Sequence, residues 1–283
     1  FYGPTTLRKG IEYSRNLMTV RIAKILGLNK IFDLSKKLNV YEEIPELLSV
    51  SLGAAETSLI NLTSAYAPFV NGGIKIEPKL ISRIQDRRGK TIFYEKKRKC
   101  IGCDKFIGEK IELPKIENQN EKVMSEETAY QMNSILQGAV KRGTAKKLRS
   151  LKVPLAGKTG TTNQNKDAWF IGYTPDLVIG VFVGYDQPKS LGYKQTGSSV
   201  AVPIFKKFAK KIKINENKKP FRIPKGISFV KIDPRNGMIS NKSDSISEPF
   251  ILGSEPYMGN VNIIDGLENF NNNSISGTGG LLE

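Results

Sequence analysis

The spacing of apolar positions along this chain changes several times, and each change marks an element. Over residues 6–27 the pattern predicts two short helices broken at a polar tripeptide. Thr6 is placed to cap the first, which carries Leu7 and Ile11. Asn16 is placed to cap the second, which carries Leu17, Val20 and Ala23 and stops at Gly27. Ser14-Arg15-Asn16 then lies at a helix–helix junction, where side chains reach a cleft more readily than from mid-helix. Leu59, Leu62, Tyr66 and Phe69 predict a further helix over 57–73, ended by Asn71-Gly72-Gly73. From Ile74 to Leu113 the pattern is strand-like and broken, with Asp86-Arg87-Arg88-Gly89 as a hairpin signal. Ser125 opens a predicted helix that runs to Arg142 on the stripe Met132, Ile135, Leu136 and Ala139, with Gly143 as its stop.

Three strands are predicted next, at Val153–Thr161, Trp169–Tyr173 and Leu177–Tyr185. Thr174-Pro175-Asp176 joins the last two so tightly that they must be antiparallel neighbours. Ala201–Ile212 reads as an amphipathic closing helix. Helices first, then an antiparallel sheet, then a covering helix make an α+β arrangement. Residues 226–238 have room for a strand or two. From Asn241 onward Ser, Asn, Gly and Asp dominate, so 241–283 is expected to be mostly a flexible tail. This divides the chain into 1–212, a principal domain, 213–240, a C-terminal extension, and 241–283, the tail.

Composition narrows the chemistry. There is no histidine, which excludes a His-based catalytic triad and makes a catalytic zinc improbable. No cofactor is implied. The net charge of +17 clusters only mildly, in Lys96–Lys99 and around Lys206–Lys213, without the interleaved aromatics of a single-strand nucleic-acid platform. A solvated basic surface is the plain reading, and no nucleic-acid partner is expected. No run of about 18 apolar residues occurs, so no membrane span is expected within the chain. The two cysteines, Cys100 and Cys103, have too few companions for a zinc site. They read as a small-loop disulfide of an oxidising compartment, or as two free thiols.

Lys158-Thr159-Gly160-Thr161 follows the apolar run Val153–Ala156, so it lies on or at the end of a strand. There Lys158 and Gly160 share one face, and Thr159 and Thr161 the other. A glycine-bearing edge admits a peptide as an added strand, and the Thr161 N–H is placed to meet a developing oxyanion. A cation and two hydroxyls suit a peptide's terminal carboxylate. Ser14-x-Asn16 is the only S-x-N in the chain, and its plain reading is a helix cap. Alone, either tripeptide is a weak signal.

Together they resemble two of the three motifs of penicillin-recognising serine acyl transferases. Gly157-Lys158-Thr159-Gly160-Thr161-Thr162 followed by Asp167-Ala168-Trp169-Phe170-Ile171-Gly172-Tyr173-Thr174-Pro175 is similar to class A penicillin-binding proteins of the 1A type. Leu7–Val20, Leu52–Gly73 and Met124–Ala145, with its Arg142-Gly143-Thr144, resemble the same family over residues 1–212. The resemblance implies a penicillin-binding/β-lactamase-like fold, with the antiparallel sheet flanked by helices. It implies a D-Ala-D-Ala transpeptidase acting on peptidoglycan stem peptides at the periplasmic face of the inner membrane, and trapped by β-lactams. In that family pattern Ser14 joins the proton relay to the leaving group, and Asn16 binds the substrate amide. Lys158 holds positive potential over the site, Thr159 and Thr161 hold the carboxylate, and the Thr161 N–H is half of the oxyanion hole.

The family nucleophile belongs to an S-x-x-K expected several dozen residues before the S-x-N, but only 13 residues precede Ser14. Ser228-Phe229-Val230-Lys231 is the chain's one S-x-x-K, in a strand-like setting where the family requires a helix start. The chain is therefore expected to be an N-terminally truncated domain. It would lack the nucleophile, the glycosyltransferase domain and the membrane anchor of a 1A protein. A catalytically inert remnant and a basic anionic-polymer-binding protein are the alternatives.

Overall fold

The computed structural model describes residues 3–41, 43–95, 99–101, 115–117, 120–216 and 218–256. Its first element, α1 (Leu7–Glu12), is capped by the Thr6 hydroxyl, which accepts from the Lys9 N–H. Next come α2 (Asn16–Leu26) and α3 (Leu28–Lys37), separated by Gly27 at φ 83°. The helix expected over 57–73 is two: α4 (Leu59–Ala65), then α5 (Pro68–Asn71) with Pro68 in its first turn. Pro68 has no N–H to continue the ladder and a ring that crowds the preceding turn, so the helix restarts there.

Strands β1 (Arg83–Gln85) and β2 (Thr91–Tyr94) form the expected hairpin, with Asp86 Oδ1 accepting from the N–H groups of Arg88 and Lys90. Strands β3 (Lys99–Ile101) and β4 (Lys115–Glu117) pair antiparallel. Cys100 is disulfide-bonded, while Cys103 lies outside the described residues.

The long helix α6 (Glu126–Lys141) starts at Ser125, whose hydroxyl accepts from the Thr128 N–H. The central sheet follows, with β5 (Ala156–Thr161), β6 (Ala168–Tyr173) and β7 (Val178–Val183) in that spatial order and antiparallel throughout. A π-helical turn, Gly197–Ala201, leads into α7 (Val202–Lys211).

Both faces of the sheet are covered. Phe170 and Tyr173 stand three residues apart on β6 and so face opposite ways. Phe170 meets Phe205 of α7 edge-on at 4.9 Å, within a cluster that also takes Leu148, Leu151 and Val202. Tyr173 packs with Tyr66, Phe221 and Leu136 of α6 on the other side. Burial of these large side chains is the main force holding helices to sheet.

The expected flexible tail needs correction. Strand β8 (Ile227–Ile232) pairs with β9 (Ile246–Ile251), inside the stretch assigned to the tail. Phe250 and Glu248 are buried there, and Gln131 of α6 donates to the Pro249 carbonyl. Its polar composition misled because Ile246, Phe250 and Ile251 suffice once a partner strand and a helix face are present. Residues 257–283 lie outside the described residues.

Candidate active site

The Ser14 corner is set by how α1 ends. The Ser14 N–H donates to Ile11 O at 3.2 Å, and the Arg15 N–H donates to Gly10 O at 2.8 Å. That pair of bonds is the Schellman closure, which needs a left-handed residue at the first position past the cap. Ser14 takes it at φ 53°, where glycine is the usual occupant. The turn throws Arg15 into extended conformation as the cap of α2, without a side-chain cap bond. Asn16 is therefore the first helical residue and not the cap the sequence suggested. Its side chain is exposed and makes no hydrogen bond to a described residue. Gly10 lets the two helices close up, because a Cβ there would sit 2.0 Å from Met18 Sδ.

Lys158 on β5 reaches this corner. Its Nζ donates to Ser14 Oγ and, at 3.1 Å, to the Thr159 carbonyl. It has no carboxylate partner among the described residues. Burial pushes its pKa down from 10.5 to about 8, since removing water penalises the charged form. An unpaired, partly desolvated cation beside hydroxyls is a ready anion site.

β5 pairs only with β6 among the described residues, leaving its other edge open. The Thr162 N–H donates to Asp167 O on the β6 side. Backbone N–H groups alternate edges along a strand, so the Thr161 N–H points to the open edge. The Thr161 hydroxyl accepts from the Gly197 N–H at 3.0 Å, which leaves its own proton for a second acceptor. The Thr159 hydroxyl lies 2.7 Å from that of Thr144, and Ser198 Oγ donates to the Thr144 carbonyl.

Sequence reasoning did not assign Thr144, Gly197 or Ser198 to the site. Arg142-Gly143-Thr144 carried a signal as a resembling block. Thr196-Gly197-Ser198-Ser199 lies just before the helix predicted from Ala201 and carries no sequence signal of a site; Thr196 caps the π-helical turn there. Ser14 and Lys158 are brought into contact, Thr159 and Thr161 line the strand beside them, and Asn16 stands on the next helix. Ser228 is placed elsewhere: it lies on β8, its hydroxyl bonded to Glu255.

A family model described as penicillin binding protein transpeptidase domain matches residues 1–210. The chain belongs to this family. Among its relatives, penicillin-binding protein 1A of Rickettsia prowazekii is 42% identical over 270 residues, covering 94% of this chain and 34% of its own length. The Pseudomonas aeruginosa protein of that name is 32% identical, over 84% of this chain and 33% of its own. The chain thus spans about a third of the length of these curated relatives. The crystal structure of penicillin-binding protein 1A from Haemophilus influenzae superposes with a TM-score of 0.77 at 29% identity, covering 91% of this chain and 41% of that one. The α+β fold of the transpeptidase domain is therefore the fold of this chain, with the Ser14–Lys158 contact at the mouth of its open strand edge.

Proposed function

We propose that this chain supplies two walls of a D-Ala-D-Ala transpeptidase site, with the nucleophilic serine coming from outside residues 1–283. The observation that carries the reading is the Lys158 Nζ–Ser14 Oγ contact beside the open edge of β5. A stem peptide ending in D-Ala-D-Ala lies along that edge as an added strand. Its terminal carboxylate meets Lys158 and the protons of Thr159 and Thr161, and the Asn16 amide holds a peptide group of the donor. The serine gives its proton to the lysine of its own S-x-x-K as its oxygen attacks the penultimate D-alanine carbonyl, and the charge gathering on the carbonyl oxygen faces the Thr161 N–H. The C–N bond to the last D-alanine then breaks. The leaving amine takes a proton through the Ser14 hydroxyl, which Lys158 replenishes. A pKa of about 8 suits Lys158 to that exchange near neutrality. An amine on a neighbouring strand next attacks the ester, releasing the serine and forming the cross-link. β-Lactams enter as donor mimics and stop at the ester.

Ser228-x-x-Lys231 does not serve as the nucleophile pair. On a strand, residues three apart face opposite sides, whereas on a helix they share one. In its native setting the site stands on the periplasmic face of the inner membrane, with the anchor and a glycosyltransferase domain in other parts of the protein. Among the described residues no helix is long and apolar enough to cross a membrane.

Fluorescent penicillin labelling tests this. The 283-residue chain should stay unlabelled, and a longer protein joining it to an upstream S-x-x-K segment should label. Lys158→Ala in that longer protein should slow acylation at least about 100-fold. Stoichiometric covalent labelling of the chain alone would refute the assignment of the nucleophile.

A further inference from the structure

Behind the Ser14 corner lies a cluster of four charged side chains that the proposed chemistry does not use. Arg8 and Glu12 of α1 and Glu248 of β9 are each 3% exposed. Arg8 Nη2 donates to Glu248 Oε1 at 2.8 Å and to Ser134 Oγ at 2.9 Å, and its Nε is paired with Glu248 Oε2. Arg8 Nη1 donates to the Ser134 carbonyl at 3.0 Å and to Glu12 Oε1 at 3.3 Å. Arg142, at the end of α6, closes a fork on Glu12 through Nε at 3.1 Å and Nη2. Glycines within α6 and just past its end make room. A Cβ on Gly138 would lie 1.7 Å from Glu12 Oε1, and one on Gly143 would lie 2.1 Å from the Glu12 carbonyl oxygen.

Two arginines and two glutamates cancel in charge, but cancellation alone is poor evidence of stabilisation. Desolvating such a group commonly costs as much as the pairing returns. What a forked, buried cluster does supply is orientation. Glu12 stands two residues before Ser14, and its backbone carbonyl accepts from the Thr144 N–H at 3.2 Å. The Thr144 hydroxyl in turn meets Thr159 on β5. One glutamate is thus tied to both walls of the site. Arg8, which holds it, is itself held by a strand beyond the 1–210 stretch matched by the family model.

We propose that Glu12 and Glu248 are positioning residues, and that the Glu248–Arg8–Glu12–Arg142 cluster, buried but for the partly exposed Arg142, locks the Ser14 corner against the Lys158 strand. Strand β9 is then part of the active-site scaffold. The catalytic meaning of that registration rests on the function proposed above, but the registration itself does not.

Lysine-selective 13C/15N NMR on the chain reads it out, with the Lys158 signal assigned from Lys158→Arg. In the wild type Nζ, facing the Ser14 hydroxyl and the Thr159 carbonyl, should titrate near 8. In Glu248→Gln the corner loosens, water reaches Nζ, and the midpoint rises by about one pH unit or more toward the ordinary 10.5. The sign discriminates, because removing a negative charge acts by Coulomb's law in the opposite direction and lowers a lysine midpoint. A midpoint that is unchanged or lower, with only the melting temperature reduced, overturns the proposal. Should Glu248→Gln fail to fold, Arg142→Lys decides. It keeps the charge and loses the fork, and it must move the midpoint the same way. In the longer protein both variants should slow penicillin acylation by about tenfold, a loss of roughly 1.4 kcal/mol in transition-state binding. If the wild-type longer protein does not acylate at all while the Lys158 midpoint still shifts, the proposed function fails and the positioning role stands.

Discussion

A serine in a left-handed turn costs free energy that a glycine there would not. Ser14 carries φ 53° at the closure of α1, so Ser14→Gly should raise the unfolding free energy by about 1 kcal/mol, part of the gain being offset by the freer unfolded chain. Urea denaturation measures this. The same change removes the hydroxyl facing Lys158, and acylation in the longer protein should fall as stability rises. Lys158 itself links the site to pH. Its folded pKa of about 8 lies below the ordinary 10.5, so between those values the unfolded chain binds the extra proton. The contribution of Lys158 to stability therefore grows as pH rises through that window and is least favourable below 8. Unfolding curves at pH 7.5 and 10 should show a gain in the wild type that is absent from Lys158→Met, against the common background of the other groups.

At the scale of elements, the site depends on how closely the π-helical turn sits on β5 and β6. A Cβ on Gly197 would lie 2.5 Å from the carbonyl oxygens of both Gly160 and Trp169, and backbone atoms cannot step aside. Gly197→Ala should cost about 1–3 kcal/mol and pull the Gly197 N–H off the Thr161 hydroxyl. Thermal denaturation and the acylation rate should fall together. Many elements were readable beforehand because their signals are local. Thr6 and Ser125 cap helices, Asp86 turns a hairpin, and short apolar runs split by the Thr174-Pro175-Asp176 turn mark three strands across 153–185. Apolar spacing alone predicts one helix over 57–73, but Pro68 divides it. Asn16 has the residue type of a cap, but the Schellman turn hands that place to Arg15.

Across the whole molecule, the first helix and the last described strand depend on each other. Thr6 donates to the Pro234 carbonyl and Arg8 to Glu248, contacts that span 228 and 240 residues of sequence. Phe250→Ala should therefore cost about 3–5 kcal/mol, seen as a lowered urea midpoint. It should also expose α1 to limited proteolysis. A lysine, a glycine-bearing strand and a hydroxyl at a helix junction could be found from the chain alone, since each is written within a few consecutive residues. So could the α+β order of elements. That Lys158 touches Ser14, that Thr144 backs Thr159, and that an unpromising polar stretch supplies a buried strand were decided only in the tertiary structure. Spacing of two to four residues encodes which face a side chain takes. Which distant face it meets is settled by packing, where a buried charge must find its partner wherever the chain brings one.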